Sequence, residues 1–368
     1  MADKFEKVLA GFFSEANTVC GSEGLYQSIF YHHARGEFRQ NQIRREESSE
    51  GGKIDFILED TDRTIAVELK AGANGHRNSL ANMKEVESKG KGLQHDLAKL
   101  RSLERRQSKR VESWLVCLDL AALGVAFSKS DLEKYSRLSN VQETRFAYLS
   151  QQNDEYQTWI AGQRKVRKLN APHHAKQIDR QLLESKALWS DFFAEVALDR
   201  GGPECSHVGL FYHVLRRTGL HHKQAASEVF FNCTRYGTRQ YYIPDFAIFD
   251  ERFSGHFQLY GNNLRTIEND QYKLPALLSV LEFKGGAAFR AKSISKRKEE
   301  IVSDVEKLVQ QIKPRIETSL SFQERDKNVA NPKFTMVVTD DDPRLQPCIE
   351  SLRVKNVGIA DIRWAGDS

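Results

Sequence analysis

Several features that would place this chain of 368 residues in a membrane or an oxidising compartment are missing. The five cysteines are scattered, odd in number and form no CxxC pair, which excludes a zinc ribbon and favours a reducing compartment. The longest apolar run, roughly Leu115–Phe127, is interrupted by Asp119 and is too short to span a bilayer. The first residues, MADKFEK, are charged where a signal peptide would be apolar. We therefore expect a cytoplasmic protein with no membrane partner.

Signatures of the common cofactor-dependent enzymes are missing as well. The chain has no P-loop and no GxGxxG, so neither an ATP motor nor a nicotinamide enzyme is indicated, and it has no GxSxG. Charge is nearly balanced, because 55 Lys and Arg against 50 Asp and Glu give +5, which permits a nucleic-acid partner without requiring one. A chain of this length with 40% hydrophobic residues suffices for two globular domains.

What the sequence does contain is a repeat. The stretch VELKAG at 67–72 returns as LEFKGG at 281–286, and other landmarks recur in the same order, first at an offset of 180 or 181 residues and then at a wider one. The matched landmarks are Phe12 and Phe192, Glu23 and Glu204, Phe30 and Phe211, Asp55 and Asp245, Asp96 and Asp304, and Ser113–Cys117 and Phe334–Val338. This order predicts a tandem duplication, with halves at 1–160 and 183–368 and a basic linker at 161–182.

Each half has the same predicted series of elements, helix–strand–strand–helix–strand, which is typical of an α/β fold. In the first half the two strands are Ile54–Leu58 and Thr64–Leu69, and the polar turn between them predicts a hairpin. A long amphipathic helix, roughly Leu93–Glu104, and an apolar strand follow. A last strand at Phe146–Leu149 corresponds to Ile359–Ile362, which is the loosest of the pairings.

Carboxylate and lysine side chains are concentrated on one face of the predicted hairpin. Because side chains alternate along a strand, Glu68 and Lys70 share a face, and strand pairing brings Asp55 alongside Glu68. Two carboxylates held close repel each other unless a cation lies between them. Mg²⁺ takes such carboxylates while keeping water or phosphate on its other positions, and a nearby lysine can orient the attacking water. The pattern favours phosphodiester hydrolysis.

The order of these residues resembles the PD-(D/E)xK nuclease superfamily, which has the restriction-endonuclease-like fold. Pro244-Asp245 matches the motif in full, whereas Ile54 precedes Asp55 in the first half. The resemblance covers the core of both halves, and it implies two restriction-endonuclease-like domains, each a central mixed sheet flanked by helices. It also implies Mg²⁺ as cofactor, which Mn²⁺ can replace. The implied catalytic residues are Asp55, Glu68, Lys70, Asp245, Glu282 and Lys284; the implied metal ligands are Asp55, Glu68, Asp245 and Glu282, with the helix carboxylates Glu23 and Glu204 as accessory ligands.

The resemblance predicts a Mg²⁺-dependent endonuclease of restriction or other anti-phage defence type, acting on double-stranded DNA. Two sites in one chain would let a monomer cut both strands as a pseudo-dimer, although a homodimer stays open. Two alternatives also stay open: a catalytically silent nucleic-acid-binding module, and a chain in which one half cuts while the other reads DNA. Dependence on a divalent cation distinguishes cleavage from binding alone, because catalysis requires the cation whereas binding to the phosphate backbone depends mainly on salt.

Basic segments near each site bear on the choice of partner. Lys89–Arg110 and Arg290–Lys298 follow the two Glu-x-Lys strands and are rich in Lys and Arg, which fits either contact with DNA phosphates or a solvated helix face. The second half carries an insertion near Glu251–Pro275 with Asn262 and Arg265, which is either a groove-reading segment or a surface loop. The basic linker is either solvated or a strap along DNA.

Overall fold

A computed structural model gives the architecture of the chain, which divides into two compact units, Met1–His173 and His174–Ser368. The structure describes residues 3–49, 52–74, 77–81, 83, 92–104, 110–120, 123–141, 144–161, 163–169, 180–199, 202–229, 231–235, 238–251, 253–257, 273–314, 316–317 and 332–367. No helix within these residues is both long enough and apolar enough to cross a lipid bilayer.

The first unit combines helices with a seven-stranded sheet. Its helices are α1 Lys4–Ala16, α2 Glu23–Glu37, α3 Leu93–Glu104 and α4 Lys129–Val141. Its strands are β1 Ile43–Ser49, β2 Gly52–Glu59, β3 Arg63–Lys70, β4 Ala73–Asn74, β5 Arg77–Asn78, β6 Arg110–Asp119, β7 Arg145–Ser150, β8 Glu155–Ile160 and β9 Gln163–Lys168. The order across the sheet is β1-β2-β3-β6-β7-β8-β9, and β4 with β5 forms a separate ribbon.

This sheet is mixed in direction. β1, β2 and β3 pair antiparallel, β3, β6 and β7 pair parallel, and β7, β8 and β9 pair antiparallel again. The central strand β6 is buried almost along its whole length, which its apolar run WLVCL predicts for a parallel strand covered by helices on both faces.

Helices from different parts of the first unit cover the two faces of the sheet. On one face, Phe30 of α2 packs on Phe56 of β2, with ring centroids 4.7 Å apart. On the other face, Leu100 of α3 lies in a buried apolar cluster with Ile57. Because side chains alternate along a strand, Asp55 shares the α3 face with Ile57. The polar residues of the hairpin therefore face α3.

The second unit has a smaller sheet. Its helices are α5 Lys186–Leu198, α6 Glu204–Arg217, α7 Gly286–Arg290, α8 Ile294–Glu306, which continues as a π-helical segment over Lys307–Ile312, and α9 Gln346–Lys355. Its strands are β10 Ala225–Ser227, β11 Phe231–Arg235, β12 Thr238–Tyr242, β13 Phe246–Phe249, β14 Leu277–Lys284, β15 Lys333–Val338 and β16 Asp361–Trp364. The order of the main sheet is β10-β13-β14-β15-β16, and β11 with β12 forms a ribbon.

The second sheet is also mixed, since β10, β13 and β14 pair antiparallel while β14, β15 and β16 pair parallel. Aromatic rings join α5 and α6 to it. Phe211 of α6 lies 5.2 Å from Phe192 of α5, 5.3 Å from Phe246 of β13 and 5.5 Å from Phe283 of β14, measured between ring centroids. These rings form the apolar layer between the helices and the sheet.

The predicted α/β class, with mixed sheets flanked by helices, is confirmed in both units. The predicted series of elements is present as α2, β2, β3, α3 and β6 in the first unit and as α6, β13, β14, α8 and β15 in the second. The β2–β3 hairpin forms as predicted. Even the loosest pairing of landmarks holds in the topology, because β7 lies parallel beside β6 as β16 lies parallel beside β15.

The predicted linker at 161–182 begins too early. Gln163–Lys168 forms β9, which pairs with β8 at the edge of the first sheet. Its sequence QRKVRK lacks the apolar alternation that marks a half-buried strand, because this edge strand is exposed on both faces. Residues 170–179 of that linker, and Asn262 and Arg265 of the insertion, lie outside the described residues, so their suggested contacts with DNA stay predictions.

Candidate active sites

The hairpin of the first unit brings Asp55 next to Glu68, as the strand register predicts. One carboxylate oxygen of Asp55, Oδ2, accepts the backbone N–H of Leu69 at 2.8 Å. The other, Oδ1, accepts a hydrogen bond from the Gln27 amide of α2 at 3.3 Å. These two bonds, one from each neighbouring element, fix the orientation of the aspartate.

The ammonium group of Lys70 lies at the centre of the carboxylates in the first unit. It is 3.5 Å from Glu68 Oε2, 3.5 Å from Asp96 Oδ2 and 3.9 Å from Glu23 Oε1. These acids come from β3, α3 and the start of α2, so three elements converge on one lysine. The structure thus brings together Asp55, Glu68, Lys70 and the accessory Glu23, and it adds Asp96, for which the sequence indicated no role.

A second lysine, which sequence reasoning missed, enters the same cluster. Lys99 of α3 lies one helical turn after Asp96, and its ammonium is 2.9 Å from Asp96 Oδ1 and 2.7 Å from Glu68 Oε1. It also donates to the backbone carbonyl of Lys53 at 3.0 Å. The first cluster therefore contains two cationic side chains.

The second unit repeats the constellation on equivalent elements. Asp245 Oδ2 accepts the backbone N–H of Phe283 at 2.7 Å, as Asp55 accepts that of Leu69. The Lys284 ammonium is 2.9 Å from Asp304 Oδ2 and 3.8 Å from Glu204 Oε2. The acids again come from a mid-chain helix and from the start of an earlier one.

Glu282 has different neighbours from its counterpart Glu68. The Tyr242 hydroxyl donates to Glu282 Oε1 at 2.6 Å. A second lysine, Lys307, is 3.7 Å from the same oxygen, and its side chain is 43% exposed. Glu282 also shares a side-chain hydrogen bond with Asp245.

Burial and mutual repulsion raise the pKa of the strand carboxyl groups in both clusters. Burial, followed by repulsion from Asp55, raises the pKa of Glu68 well above its usual value. The same two causes, with Asp245 as the neighbour, raise the pKa of Glu282 to about 8. Burial raises the pKa of Glu204 to about 7, although the Lys284 ammonium opposes the shift. Each cluster is thus electrostatically suited to receive positive charge.

The pKa values of the strand lysines are also raised, but by attraction to the carboxylates and against the effect of burial. Burial alone would lower the pKa of Lys70, but attraction from Glu23, Asp55 and the other carboxylates outweighs it and raises the pKa. The pKa of Lys284 is raised by the same balance, with Glu204 as the largest favourable partner. Both lysines therefore stay protonated at neutral pH and act as fixed cations.

The glycines that end the two motifs position the helix carboxylates. Gly72 has φ +85° and Gly286 has φ +79°, a conformation that favours glycine. A Cβ added to Gly72 would lie 2.6 Å from the backbone nitrogen of Glu23, and one added to Gly286 would lie 2.6 Å from that of Glu204. Only glycine lets each helix start approach the lysine this closely. In the sequence, the glycine that ends both VELKAG and LEFKGG was the signal that could have indicated this close approach.

The donor atoms of both clusters suit a hard divalent cation, because all are carboxylate oxygens. Within the described part of the chain, however, no group of three or more His, Cys, Asp or Glu side chains is arranged ready to hold a metal ion. Ammonium groups lie between the carboxylates and supply positive charge there. The carboxylate oxygens are of the type that Mg²⁺ prefers, while the carboxylates themselves are spaced around lysine ammonium groups.

The basic segment Arg290–Lys298 is engaged within the second unit. Arg297 is buried and bonds Asp340 and Asp342 at 2.6 and 2.8 Å, while Arg290 donates to the carbonyl of Thr339 at 2.7 Å. Lys292 and Lys296 pair with acids on the same helix. Four of the five basic residues therefore have partners in the fold, which weakens the predicted contact of this segment with DNA.

Comparisons with protein-family models, curated proteins and solved structures found no match for this chain. The two clusters are therefore interpreted from their geometry and chemistry.

Proposed function

We propose that the chain is a metal-dependent endonuclease that hydrolyses phosphodiester bonds in DNA, built from two restriction-endonuclease-like units. One observation carries the proposal: the same constellation of aspartate, glutamate and lysine is assembled twice on equivalent elements, with equivalent backbone hydrogen bonds to Asp55 and Asp245. A charged strand face that served only solubility would not keep buried carboxylates around a lysine in both copies.

The fold supports the proposal at the level of connectivity. In both units a helix precedes an antiparallel strand pair, and a second helix leads into a strand that lies parallel to the Glu-x-Lys strand. This order agrees with the PD-(D/E)xK resemblance of the sequence. Because fold does not establish activity, the functional proposal rests on the site.

Each side chain has a role in the proposed reaction. Asp55 with Glu68, and Asp245 with Glu282, would hold the divalent cation, which when bound neutralises charge on the phosphate and lowers the pKa of water. Lys70 and Lys284 orient the attacking water and stabilise negative charge that develops at phosphorus. Four further acids, Glu23, Asp96, Glu204 and Asp304, hold these lysines in place.

The proposed substrate is double-stranded DNA, and the exposed basic edge of the first unit supports it. On β9, Arg164, Lys165 and Lys168 are exposed, and none of them has an ion pair within the described residues. Cations that are not engaged by the fold are available to phosphates. Arg167, in contrast, pairs with Glu6 at 2.6 Å.

The proposal is tested by incubating the chain with supercoiled plasmid and Mg²⁺, with Mn²⁺ in parallel. We expect Mg²⁺-dependent loss of the supercoiled form, and no loss with the double variant Lys70→Ala/Lys284→Ala. Lys129→Ala, which removes an exposed lysine of α4, is the matched control and should cleave like the wild type. Absence of cleavage with any divalent cation, in a folded protein, would contradict the proposal.

A catalytically silent nucleic-acid-binding module is the second candidate. One observation favours it: the carboxylates are spaced around lysines. Among the described residues, no group of three metal ligands is arranged ready to hold an ion. In that case the chain would shift DNA on a gel in a salt-dependent and metal-independent way, and it would leave the plasmid intact.

A further inference from the structure

We infer that the two sites respond differently to a divalent cation: Lys99 supplies the positive charge of the first site from within the chain, and the second site is the one that binds the cation. The inference rests on the proposed function, because it takes Asp55 with Glu68 and Asp245 with Glu282 as the ligands.

The ammonium of Lys99 is enclosed by oxygen atoms. Glu68 Oε1, Asp96 Oδ1 and the carbonyl oxygen of Lys53 lie 2.7, 2.9 and 3.0 Å away. An ammonium group has three N–H donors, and three oxygen atoms lie within 3.0 Å of this one. The Lys99 side chain is only 10% exposed. A cation with two carboxylates and a carbonyl around it already occupies the space beside Glu68.

The first unit is shaped to accept this side chain. β2 starts at Gly52, before Asp55, and so its backbone extends far enough for the Lys53 carbonyl to reach Lys99. A Cβ added to Gly52 would lie 3.3 Å from Cδ of Lys99, so the missing side chain leaves room for the lysine stem. The lysine is therefore held by packing as well as by charge.

Lys307, three residues after Asp304 as Lys99 is three after Asp96, is not enclosed. Its side chain is 43% exposed, and its ammonium is 3.7 Å from Glu282 Oε1. The Tyr242 hydroxyl takes the short bond to that oxygen, and the ammonium lies 5.7 Å from the Tyr242 ring centre. β13 begins only at Phe246, so Ile243, which precedes Asp245 by two residues as Lys53 precedes Asp55, lies outside the strand.

The two helices also wind differently at these lysines. α3 stays α-helical through Lys99, so residues three positions apart share a face, and Lys99 lies beside Asp96. α8 changes to π-helical winding at Lys307. Lys307 is the first residue of this segment, and such turns are frequent at functional sites. The two lysines thus differ in local winding, in burial and in distance from the strand glutamate.

A divalent cation meets different electrostatics at the two sites. In the first it must approach Lys99, whose buried charge repels it, whereas in the second the corresponding Lys307 is partly exposed and its charge is screened by water. We expect affinity for the cation to be at least about tenfold weaker at the first site.

Mn²⁺ alone is the probe, and the free Mn²⁺ signal in electron paramagnetic resonance gives affinity and stoichiometry on the full chain. We expect one tight site in the wild type, lost in Asp245→Asn and kept in Asp55→Asn. Lys99→Met should add a second tight site, whereas Lys307→Met should leave the stoichiometry at one. Melting without metal checks the folding of each variant, and the comparison of the two aspartate variants does not depend on Lys99→Met.

Two equivalent tight sites, or loss of the tight site in Asp55→Asn rather than Asp245→Asn, would overturn the inference and leave the proposed nuclease function standing. One tight site in the second unit, in a chain that cleaves no DNA with any divalent cation, would support the inference and contradict the proposed function. Absence of Mn²⁺ binding at both sites would overturn both.

Discussion

The two clusters contain the same five groups but balance their charge differently. In the first, the ammonium of Lys99 lies 2.7 Å from Glu68. In the second, the hydroxyl of Tyr242 is 2.6 Å from Glu282, and the equivalent lysine is exposed. Two sites can thus keep the same strand residues and still differ in which side chain lies closest to the buried glutamate.

The comparison also separates what the fold fixes from what it leaves variable. Lys70 and Lys284 are each the last residue of a strand, two positions after its glutamate, and each pairs with the acid at the start of an earlier helix. Lys99 and Lys307 each follow a helix aspartate by three positions, but they differ in burial. We therefore expect the strand lysines to share a role and the helix lysines to differ.

The largest effect is expected from removing one strand lysine at a time. Lys284→Ala should lower plasmid cleavage by at least about a hundredfold, because it removes a group that stabilises the transition state of the reaction at the site that we infer binds the cation. Lys70→Ala should lower it by less than about tenfold. The wild-type product should be mainly nicked circle, measured by gel electrophoresis over time. Equal losses in both variants, with linear product from the wild type, would show two equivalent sites.

The next effect tests a feature that the units share. Gly72→Ala and Gly286→Ala should each destabilise their unit by about 2–4 kcal/mol, since the added Cβ collides with backbone and the φ value is strained. Gly358→Ala is the control for strain alone, because its φ is +72° and no atom lies within 4 Å of the added Cβ. Gly358→Ala should lower the free energy of unfolding by about 1 kcal/mol. Urea unfolding measures all three, and equal losses would refute the role in positioning Glu23 and Glu204.

A smaller effect is expected from pH in the absence of divalent cations. The folded pKa of Glu282, about 8, is above its ordinary value of 4.5, so the folded chain binds the proton more tightly than the unfolded chain. Stability is therefore full below about pH 4.5 for this group and falls as pH rises toward about pH 8. In Glu282→Gln, the loss of unfolding free energy between about pH 5 and about pH 8 should be smaller by roughly 1–3 kcal/mol. The measurement is Tm against pH, which should fall less than in the wild type. An unchanged pH profile would contradict the assignment.

The smallest effect concerns β9, an edge strand for which the described residues of the second unit supply no equivalent in the sheet order. Lys165→Ala should weaken DNA binding by about threefold and reduce the salt slope by about one, as expected for one lost phosphate contact. Lys129→Ala serves as the control in the same unit. Fluorescence anisotropy at several salt concentrations gives both values, and identical slopes for the two variants would exclude β9 from the DNA-binding surface.

Much of the fold follows from apolar patterns and from the repeat. The continuous apolar run in β6 and the alternation in β2 and β3 predict a sheet, and the recurrence of Asp, Glu-x-Lys and a later Asp predicts which residues meet. β9 is not predictable in this way, because an exposed edge strand has no apolar face to leave a pattern.

The part of the site that escaped prediction depends on three-dimensional context. Lys99 and Lys307 recur as Asp-x-x-Lys, so their presence is visible in the sequence, but their different environments are not. Lys99 donates to the carbonyl of Lys53, whereas Lys307 starts a π-helical segment, and neither feature is encoded in a local pattern. Tyr242 lies on β12, and no motif in the sequence marked it.

The charged strand β9 has a consequence for how the chains meet one another. A free sheet edge offers unpaired backbone groups to any second strand, which is the usual route to aggregation or edge-to-edge dimers. Here a second copy would bring Arg164, Lys165, Arg167 and Lys168 against the same four cations. The charge of β9 therefore disfavours its pairing with the same strand of a second copy.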